Sequence, residues 1–386
     1  MGLMKNTTTM TARLLKSRRL TGALVASVAV SSLSLAGLGA ATAHASVPTL
    51  LLYNAQGYGD YVAKVFNATN PGFKIVVDDN STGPLFTKIQ AEEQAGNPKW
   101  GIFWADGATE FAALDTLGYL QKNAYTSTAG YNAFGKANIP ANHSYAPTGL
   151  TVMGGLCYDK VATKGLKLPT TWAQLTSVPK GSLGMNDPSQ SGPTYPMIAG
   201  VFAHLSGITS AMHPSKAQVA AAVKKGEAYF LQLKKNGLVV HPTNGPTLGA
   251  LESNPPSIKM AIIQSSACYG DITATPKSLW PTGAVKYLDY SVALTSNIAV
   301  SNHLSPALQK DADKFVAFVT SKKGQLAMQQ GDPHGDGLFW PVIGGVSPEK
   351  YLPSYSITRG FPINPYVWGP LENTINAWFT SNINNG

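Results

Sequence analysis

Charge is scarce in this 386-residue chain: Asp, Glu, Lys and Arg make up 13% of it, against 44% hydrophobic residues. Intrinsic disorder over most of its length is thereby excluded, because disordered segments combine low hydrophobicity with high charge. Beyond the N-terminal region there is no apolar run of about 20 residues, which excludes a polytopic membrane protein. There are only two cysteines, with neither a CxxC spacing nor a His at ligand spacing, so neither a redox motif nor a cysteine metal site is at hand. No GxSxG, HExxH or P-loop is present, nor a GxGxxG with its strand and acid, which leaves the common catalytic signatures unfilled. The formal net charge of +9 is also less than it looks. Lys5, Arg13, Lys16, Arg18 and Arg19 account for five of the 29 basic residues within positions 1–45, where no acid occurs. The remaining 24 face 20 acids, too even and too scattered a balance for a nucleic-acid surface.

What is present points to export. A basic segment ends at Arg19, Leu20 to Leu38 is apolar and small, and Ala43-His44-Ala45 offers the small-x-small pattern cut before Ser46. Dilution by Ser, Thr and Gly favours cleavage over anchoring. Arg18-Arg19 leaves the general and twin-arginine routes both open, and the lack of Cys in the first 150 residues excludes a lipid-modified N-terminus. In an exported protein the even pair Cys157 and Cys268 favours a disulfide over two buried thiols.

Length predicts two domains, and the 38 Gly and 26 Pro without a G-X-Y period mean many turns. Thr49–Tyr53, Lys74–Val77 and Ile102–Trp104 read as strands. A helix follows each: one with Tyr61, Val62, Val65 and Phe66 on one face, one opened by Ser81-Thr82-Gly83-Pro84, and one with Phe111, Leu114 and Leu117. This β-α-β-α-β-α order predicts a parallel sheet flanked by helices. Residues 121–148 read as loop and Leu150–Tyr158 as a strand. A short helix capped by Thr170 or Thr171, a strand at 183–185, helices over 191–207 and 217–236, a helix-like 247–253 and a strand over 258–264 make a second α/β unit. Val292–Val300 returns as a strand, and Pro306–Gln330 as an amphipathic helix.

Several segments in this order resemble the ABC-importer solute-binding proteins of the ferric-iron, thiamine and 2-aminoethylphosphonate group. They are Leu51-Leu52-Tyr53-Asn54-Ala55-Gln56-Gly57, Asp79-Asn80-Ser81-Thr82-Gly83-Pro84-Leu85, Ile102-Phe103-Trp104-Ala105-Asp106-Gly107, Leu168-Pro169-Thr170-Thr171-Trp172, and the late Lys314–Phe318 and Ser321–Gln325. The resemblance implies an α/β, two-lobed type II periplasmic-binding-protein fold, each lobe a mixed sheet flanked by helices and joined by crossing hinge strands. It implies lobe one over 46–148 and 292–345, lobe two over 149–291, and a tail over 346–386 packed on lobe two. Function would be capture of a small anionic or zwitterionic solute by hinge closure, with permease subunits as partners. Neither cofactor nor metal would be needed, and the chain would be a monomer that meets the membrane only through the permease.

Ligands of open α/β sheets bind beyond the carboxyl ends of strands. In lobe one those positions are Gln56-Gly57-Tyr58, Ser81-Thr82-Gly83 and Asp106-Gly107. A helix starting at Ser81 offers unpaired N–H groups and partial positive charge to an anion. Ser191-Gly192-Pro193-Thr194, followed by Tyr195, repeats the pattern in lobe two, so two helix starts would clamp one anionic group. Asp106 either pairs with a ligand ammonium or caps its own helix. Gln264, Ser265 and Ser266 suit hydrogen bonding to an organic ligand, and Tyr58, Trp104 and Tyr195 offer rings for stacking. Iron-binding relatives have a His after the first strand and adjacent tyrosines after the lobe-two strand; Gly57-Tyr58 and Gln264-Ser265-Ser266-Ala267 stand there instead, which disfavours iron. Phosphonate or phosphate ester ranks first, thiamine or iron second, sugar or polyol third. A secreted hydrolase built on Gly331-Asp332-Pro333-His334-Gly335-Asp336-Gly337 is the rival of another class.

Overall fold

A computed structural model describes residues 47–125, 127–274 and 277–384; the export signal and its cleavage position lie outside them. The chain opens with β1 (Thr49–Asn54), α1 (Gly59–Asn67), β2 (Lys74–Asp79), α2 (Thr82–Gln94), β3 (Ile102–Asp106) and α3 (Ala108–Thr116). β1 pairs in parallel with both β2 and β3, as alternating strands and helices dictate. On α1 the buried stripe is Val62, Ala63 and Phe66, whereas Tyr61 is exposed. At 100° per residue Tyr61 falls beside the stripe rather than on it, and its hydroxyl reaches Gln330 at 3.4 Å.

The stretch 121–148, expected to be loop, contains α4 (Ala133–Ala137) and the start of β4 (Tyr145–Asp159). Lobe two follows with β5 (Leu183–Asn186), α5 (Thr194–Leu205), α6 (Lys216–Lys235), β6 (Val239–His241), α7 (Asn244–Glu252), β7 (Met260–Gln264) and α8 (Ser265–Thr273). Here β5 is the centre, parallel to β6 and β7. α6 begins with a capping box, Ser215 with Gln218, and lays Ala222, Gly226, Tyr229, Phe230 and Leu233 inward. Gly226 is required there, because a Cβ would run into the Phe202 ring of α5. A disulfide joins Cys157 of β4 to Cys268 of α8, with Cα atoms 6.1 Å apart.

β8 (Gly283–Val300) is twice the length that its sequence pattern suggests. It lies antiparallel to β4 from Tyr145↔Ala299 to Asp159↔Gly283 and also to β3, so it serves both lobes. The register of the β4–β8 ribbon shifts at Pro147/Gly149 and again at Met153/Gly155, where Gly154 adopts φ +115°. The result is a mixed sheet in the order β2-β1-β3-β8-β4-β7-β5-β6. What reads as one late helix is two, α9 (Pro306–Val319) and α10 (Lys322–Gly331). They break at Ser321, whose hydroxyl donates to Phe318 O and accepts from Gly324 N, and a Cβ on Gly324 would strike the carbonyls that end α9. The remainder is β9 (Gly360–Phe361) beside β8, α11 (Pro365–Trp368) and α12 (Glu372–Phe379).

Two sets of buried side chains give each lobe its core: Leu52, Phe66, Ile102, Trp104 and Phe315 in one, Trp172, Tyr195, Phe202, Phe230 and Ile262 in the other. The tail, expected on lobe two, is shared. Leu352 and Tyr355 pack with lobe one, because β9 crosses the ribbon, and Trp368, Ile375 and Phe379 fill lobe two.

Candidate functional site

A cavity of about 170 Å³ lies where the two lobes meet. Its lobe-one wall is Ala55, Ser81, Thr82 and Asp106, and its lobe-two wall is Gln190–Pro193, Thr243–Gly245 and Gln264; Asp336 closes one side. The helix starts are in direct apposition: a Cβ on Gly83 would collide with the Ser189 carbonyl, and one on Gly192 with the Thr82 side chain. Glycine is what lets the lobes come this close.

Four helices begin at this cavity, α2, α5, α7 and α8, and none has a side-chain cap on its N-terminus. Elsewhere Asn132, Ser215, Ser305, Ser321 and Asn364 cap α4, α6, α9, α10 and α11 through their side chains, while α1, α3 and α12 also go without one. Ser81 and Thr243 are residue types that cap readily, yet neither does so here. No cap side chain meets the first-turn N–H groups at the cavity, of which Thr194 N donates instead to Ser191 O (3.0 Å), and the partial positive charge of the helix ends faces inward. The lobe-two starts are braced by Asn186, whose Nδ2 donates to Asn244 Oδ1 (2.6 Å) and Ser191 Oγ (3.2 Å), while Thr247 Oγ1 donates to Asn186 Oδ1 (2.6 Å).

Asp106 ends β3 and is almost fully buried. It accepts from Gln56 Nε2 (3.2 Å), Gln264 Nε2 (2.8 Å) and Ser296 Oγ, bringing residues of both lobes and of β8 onto one carboxylate. Burial raises its pKa, and those three donors pull it back. It does not cap α3, whose N-cap Gly107 stands at φ +96° with no side-chain cap. Asp336 accepts from Gly57 N (2.8 Å), and its own N–H donates to Asp332 Oδ2 (2.7 Å). Desolvation first, and the Asp106 charge next, push Asp336 up to about 8.

Of the residues singled out in the sequence, Ser81, Thr82, Asp106, Ser191, Gly192 and Gln264 line the cavity. Gln56, Gly57 and Gly83 stand directly behind it through Asp106, Asp336 and Ser189. The others do not reach it. Tyr58 is core, its ring 5.2 Å from Trp104 and 6.2 Å from Phe339, and Trp104 spends its N–H on Thr148. Tyr195 is likewise buried, its hydroxyl donating to Trp368 O. Gly107 packs against Glu110 and Pro196, Thr194 lies inside the first turn of α5, and Ser265 accepts from Val152 N (3.3 Å). Stacking on these aromatic rings is therefore not available to a solute in the cavity.

Sequence reasoning missed Asn244 and Gly245, and it placed Asp336 only in the rival hydrolase loop rather than at this cavity. The first two carried a signal: Gly245-Pro246 is a third Gly-Pro at a helix start after Gly83-Pro84 and Gly192-Pro193, and Asn244-Gly245-Pro246-Thr247 echoes Ser191-Gly192-Pro193-Thr194. Asp336 sits in a Gly-rich loop whose path only the fold reveals. Among the described residues no group of three or more His, Cys, Asp or Glu is placed to hold a metal ion.

A family model described as bacterial extracellular solute-binding protein matches residues 62–353. The chain belongs to that family. Its fold is similar to iron-bound HitA from Pseudomonas aeruginosa, with a TM-score of 0.68 at 19% identity, covering 87% of this chain and 99% of that one. It is similar also to the periplasmic binding protein AfuA from Actinobacillus pleuropneumoniae with fructose-6-phosphate bound (0.70, 17%, 88% and 100%). A periplasmic thiamin binding protein aligns at 0.64 and 14%, over 87% and 96%. No curated protein sequence matches the chain. Family and fold are thus those of binding proteins, and the two-lobed mixed α/β architecture is the one that this solute-binding family shares.

Proposed function

We propose that this solute-binding protein, exported and cleaved after Ala45, captures a small solute through an anionic end and delivers it as a monomer to the permease of an ABC importer. A phosphonate or phosphate ester is the first choice. The observation that carries this reading is the set of four helix starts without side-chain caps around one cavity. An anion there meets first-turn N–H groups that no cap side chain engages, on helix ends that favour negative charge. Iron is disfavoured because no Tyr or His is among the lining residues. The β4–β8 ribbon, with its register shifts at 147–149 and 153–155, supplies a hinge between lobes near 149 and 292. Ligand shifts such an equilibrium only through contacts that exist in the closed form.

A secreted hydrolase remains the contrasting reading, and the arrangement of Asp336 favours binding over it. No nucleophile paired with a base stands beside Asp336 in the lining, and its raised pKa follows from burial first and then from the neighbouring charges of Asp106, Asp332 and Asp79. Thermal-shift measurement with phosphonates, phosphate esters, thiamine and ferric citrate tests the assignment. The expected result is stabilisation of ~2.7 kcal/mol at a hundredfold excess of a phosphonate or phosphate ester over its Kd. Stabilisation by thiamine or ferric citrate alone would overturn it.

A further inference from the structure

Charge is divided unevenly between the two halves of the molecule. Residues 149–291 carry 12 Lys against six acids, whereas 46–148 and 292–345 together carry 10 Lys against 12 acids. Part of the excess collects at one end of lobe two. Lys160 directly follows β4, Lys259 directly precedes β7, and β7 lies between β4 and β5 in the sheet. The loop that enters β5 carries Lys180 and meets this end, where Lys259 N donates to Ser182 O (2.9 Å). Gly181 N donates to Asn236 O (3.1 Å), which adds Lys235 at the end of α6. Lys160 N donates to Thr282 O (2.9 Å), which adds the segment with Lys277, and Lys164 stands in the turn that follows Lys160. Ion pairs among the described residues are made by Lys88, His204, His303 and Lys314, and these six lysines take part in none. Glu252, at the end of α7, and Asp271, in α8, lie toward the same end but engage each other: burial first, then the Asp271 hydrogen bond, raise Glu252 to about 7.

The same end presents the two most exposed large hydrophobic side chains among the described residues, Val161 (67%) and Leu279 (69%). Both are held in place. Asp159 accepts from Val161 N (2.8 Å) and Ala162 N (2.7 Å) on one loop, and from Trp280 Nε1 (3.1 Å) and Thr282 Oγ1 on the other. One carboxylate thus ties both loops to the last residue of β4. Lysines alone would suit any polyanion. Apolar side chains set among lysines suit a surface with anionic head groups over an apolar interior.

We propose that this end of lobe two docks on an anionic lipid surface, with Val161 and Leu279 inserted at head-group depth and the six lysines against the head groups. The chain would then meet a bilayer directly, which departs from the expectation that a permease is its sole contact with the membrane. No helix among the described residues is long and apolar enough to cross a membrane, so the contact is peripheral. Gln264 and Asn186 end β7 and β5 beside the solute cavity, whereas Lys259 and Lys180 stand at the starts of the same strands. Docking therefore leaves the cavity uncovered.

Vesicle co-sedimentation of the chain from Ser46 onward, which contains every described residue, tests this. Phosphatidylcholine vesicles with about 30% phosphatidylglycerol should bind it at least about tenfold more tightly than phosphatidylcholine alone. Raising the salt from about 0.1 M to about 1 M, which cuts the Debye length from about 10 Å to about 3 Å, should release most of it. Lys160→Gln, Lys164→Gln and Lys277→Gln combined should weaken binding by about 100-fold, at roughly fivefold per lysine. Val161→Ser with Leu279→Ser should weaken it by about tenfold. Lys310→Gln, Lys322→Gln and Lys323→Gln combined, which removes the same charge from lobe one, should change it by less than about threefold. All these positions are exposed, and a thermal melt of each variant confirms that the fold is kept. Absence of binding to the phosphatidylglycerol vesicles, or equal weakening by the two lysine sets, would overturn the proposal. Undiminished binding of the Val161 and Leu279 variant would overturn it too, by pointing to an anionic polymer rather than a lipid surface.

Discussion

The lobes meet along two seams built in opposite ways. At the cavity the contact is made by what is missing: Gly83 lies on the Ser189 carbonyl and Gly192 on Thr82, backbone close to backbone. At the tail, α3 of lobe one meets α11 and α12 through side chains. Tyr366 donates to Asp115 Oδ2 (2.7 Å), Gly369 rests on the Thr109 carbonyl, and Glu110 and Glu372 face one another fully buried. The glycine contacts sacrifice little when they part, with the Gln264–Asp106 hydrogen bond (2.8 Å) the polar link beside them, whereas parting the second would expose two facing buried carboxyl groups and break packed hydrogen bonds. The cavity seam is therefore suited to opening and the tail seam to staying shut.

The largest effect should come from filling the first seam. In Gly192→Val the new side chain would overlap Thr82 and hold the lobes apart. Solute affinity should fall by about 100-fold, because closed-form contacts are what stabilise the bound state. The ligand-free melting temperature should change little, since open lobes accommodate the valine. Titration calorimetry with the solute from the thermal-shift screen, alongside a melt, checks both. Unaltered affinity would mean that the seam does not have to close.

Much of the first seam was legible in the sequence and almost none of the second. Ser81-Thr82-Gly83-Pro84 and Ser191-Gly192-Pro193 declare themselves because Gly and Pro at a helix start leave a local signature. The strands β1, β2 and β3 were legible for the same local reason, short apolar runs bounded by turn residues. Tyr58 and Tyr195 were misread as cleft residues because a sequence does not say which way a ring points once its backbone is placed. Their neighbours Trp104, Phe339 and Trp368 are 46, 281 and 173 positions away. Asp336 reaches Gly57 across 279 positions. Nothing at that separation is written in periodicity or capping.

A pH test sharpens the contrast at the tail seam. Burial raises Glu110 to about 8, and Glu372 is raised well above its ordinary value by burial and by Glu110. Thr109, which hydrogen-bonds Glu110, opposes the shift, while Asp106 reinforces it. Because the folded pKa values lie above the unfolded ones, the pair's contribution is fully present below about pH 4.5 and is lost as pH rises through about 8. Glu372→Gln offers an N–H to the Glu110 carboxylate and removes one of the two charges. Urea unfolding at pH 8.5 should show the variant more stable by ~1–3 kcal/mol, with near equality at pH 5. A modest slope should survive in the variant, since Asp336 titrates in the same window. Parallel stability profiles for the two proteins would deny the pair any role.

The smallest effect is expected at the rim of the same seam. Tyr366 is 41% exposed, and its hydroxyl donates to an Asp115 carboxylate that also accepts twice from Asn142 Nδ2, at 2.8 and 3.0 Å. Tyr366→Phe removes one donor but leaves Asp115 paired, so no buried acceptor is orphaned. The cost should be ~1 kcal/mol or less, read as a small shift in the urea midpoint without a change in slope. A loss several times larger would mean that Asp115 and Tyr366 hold the tail by themselves. The buried carboxyl pair would then be a passenger in a seam closed from its edge, and the two seams would differ in position more than in construction.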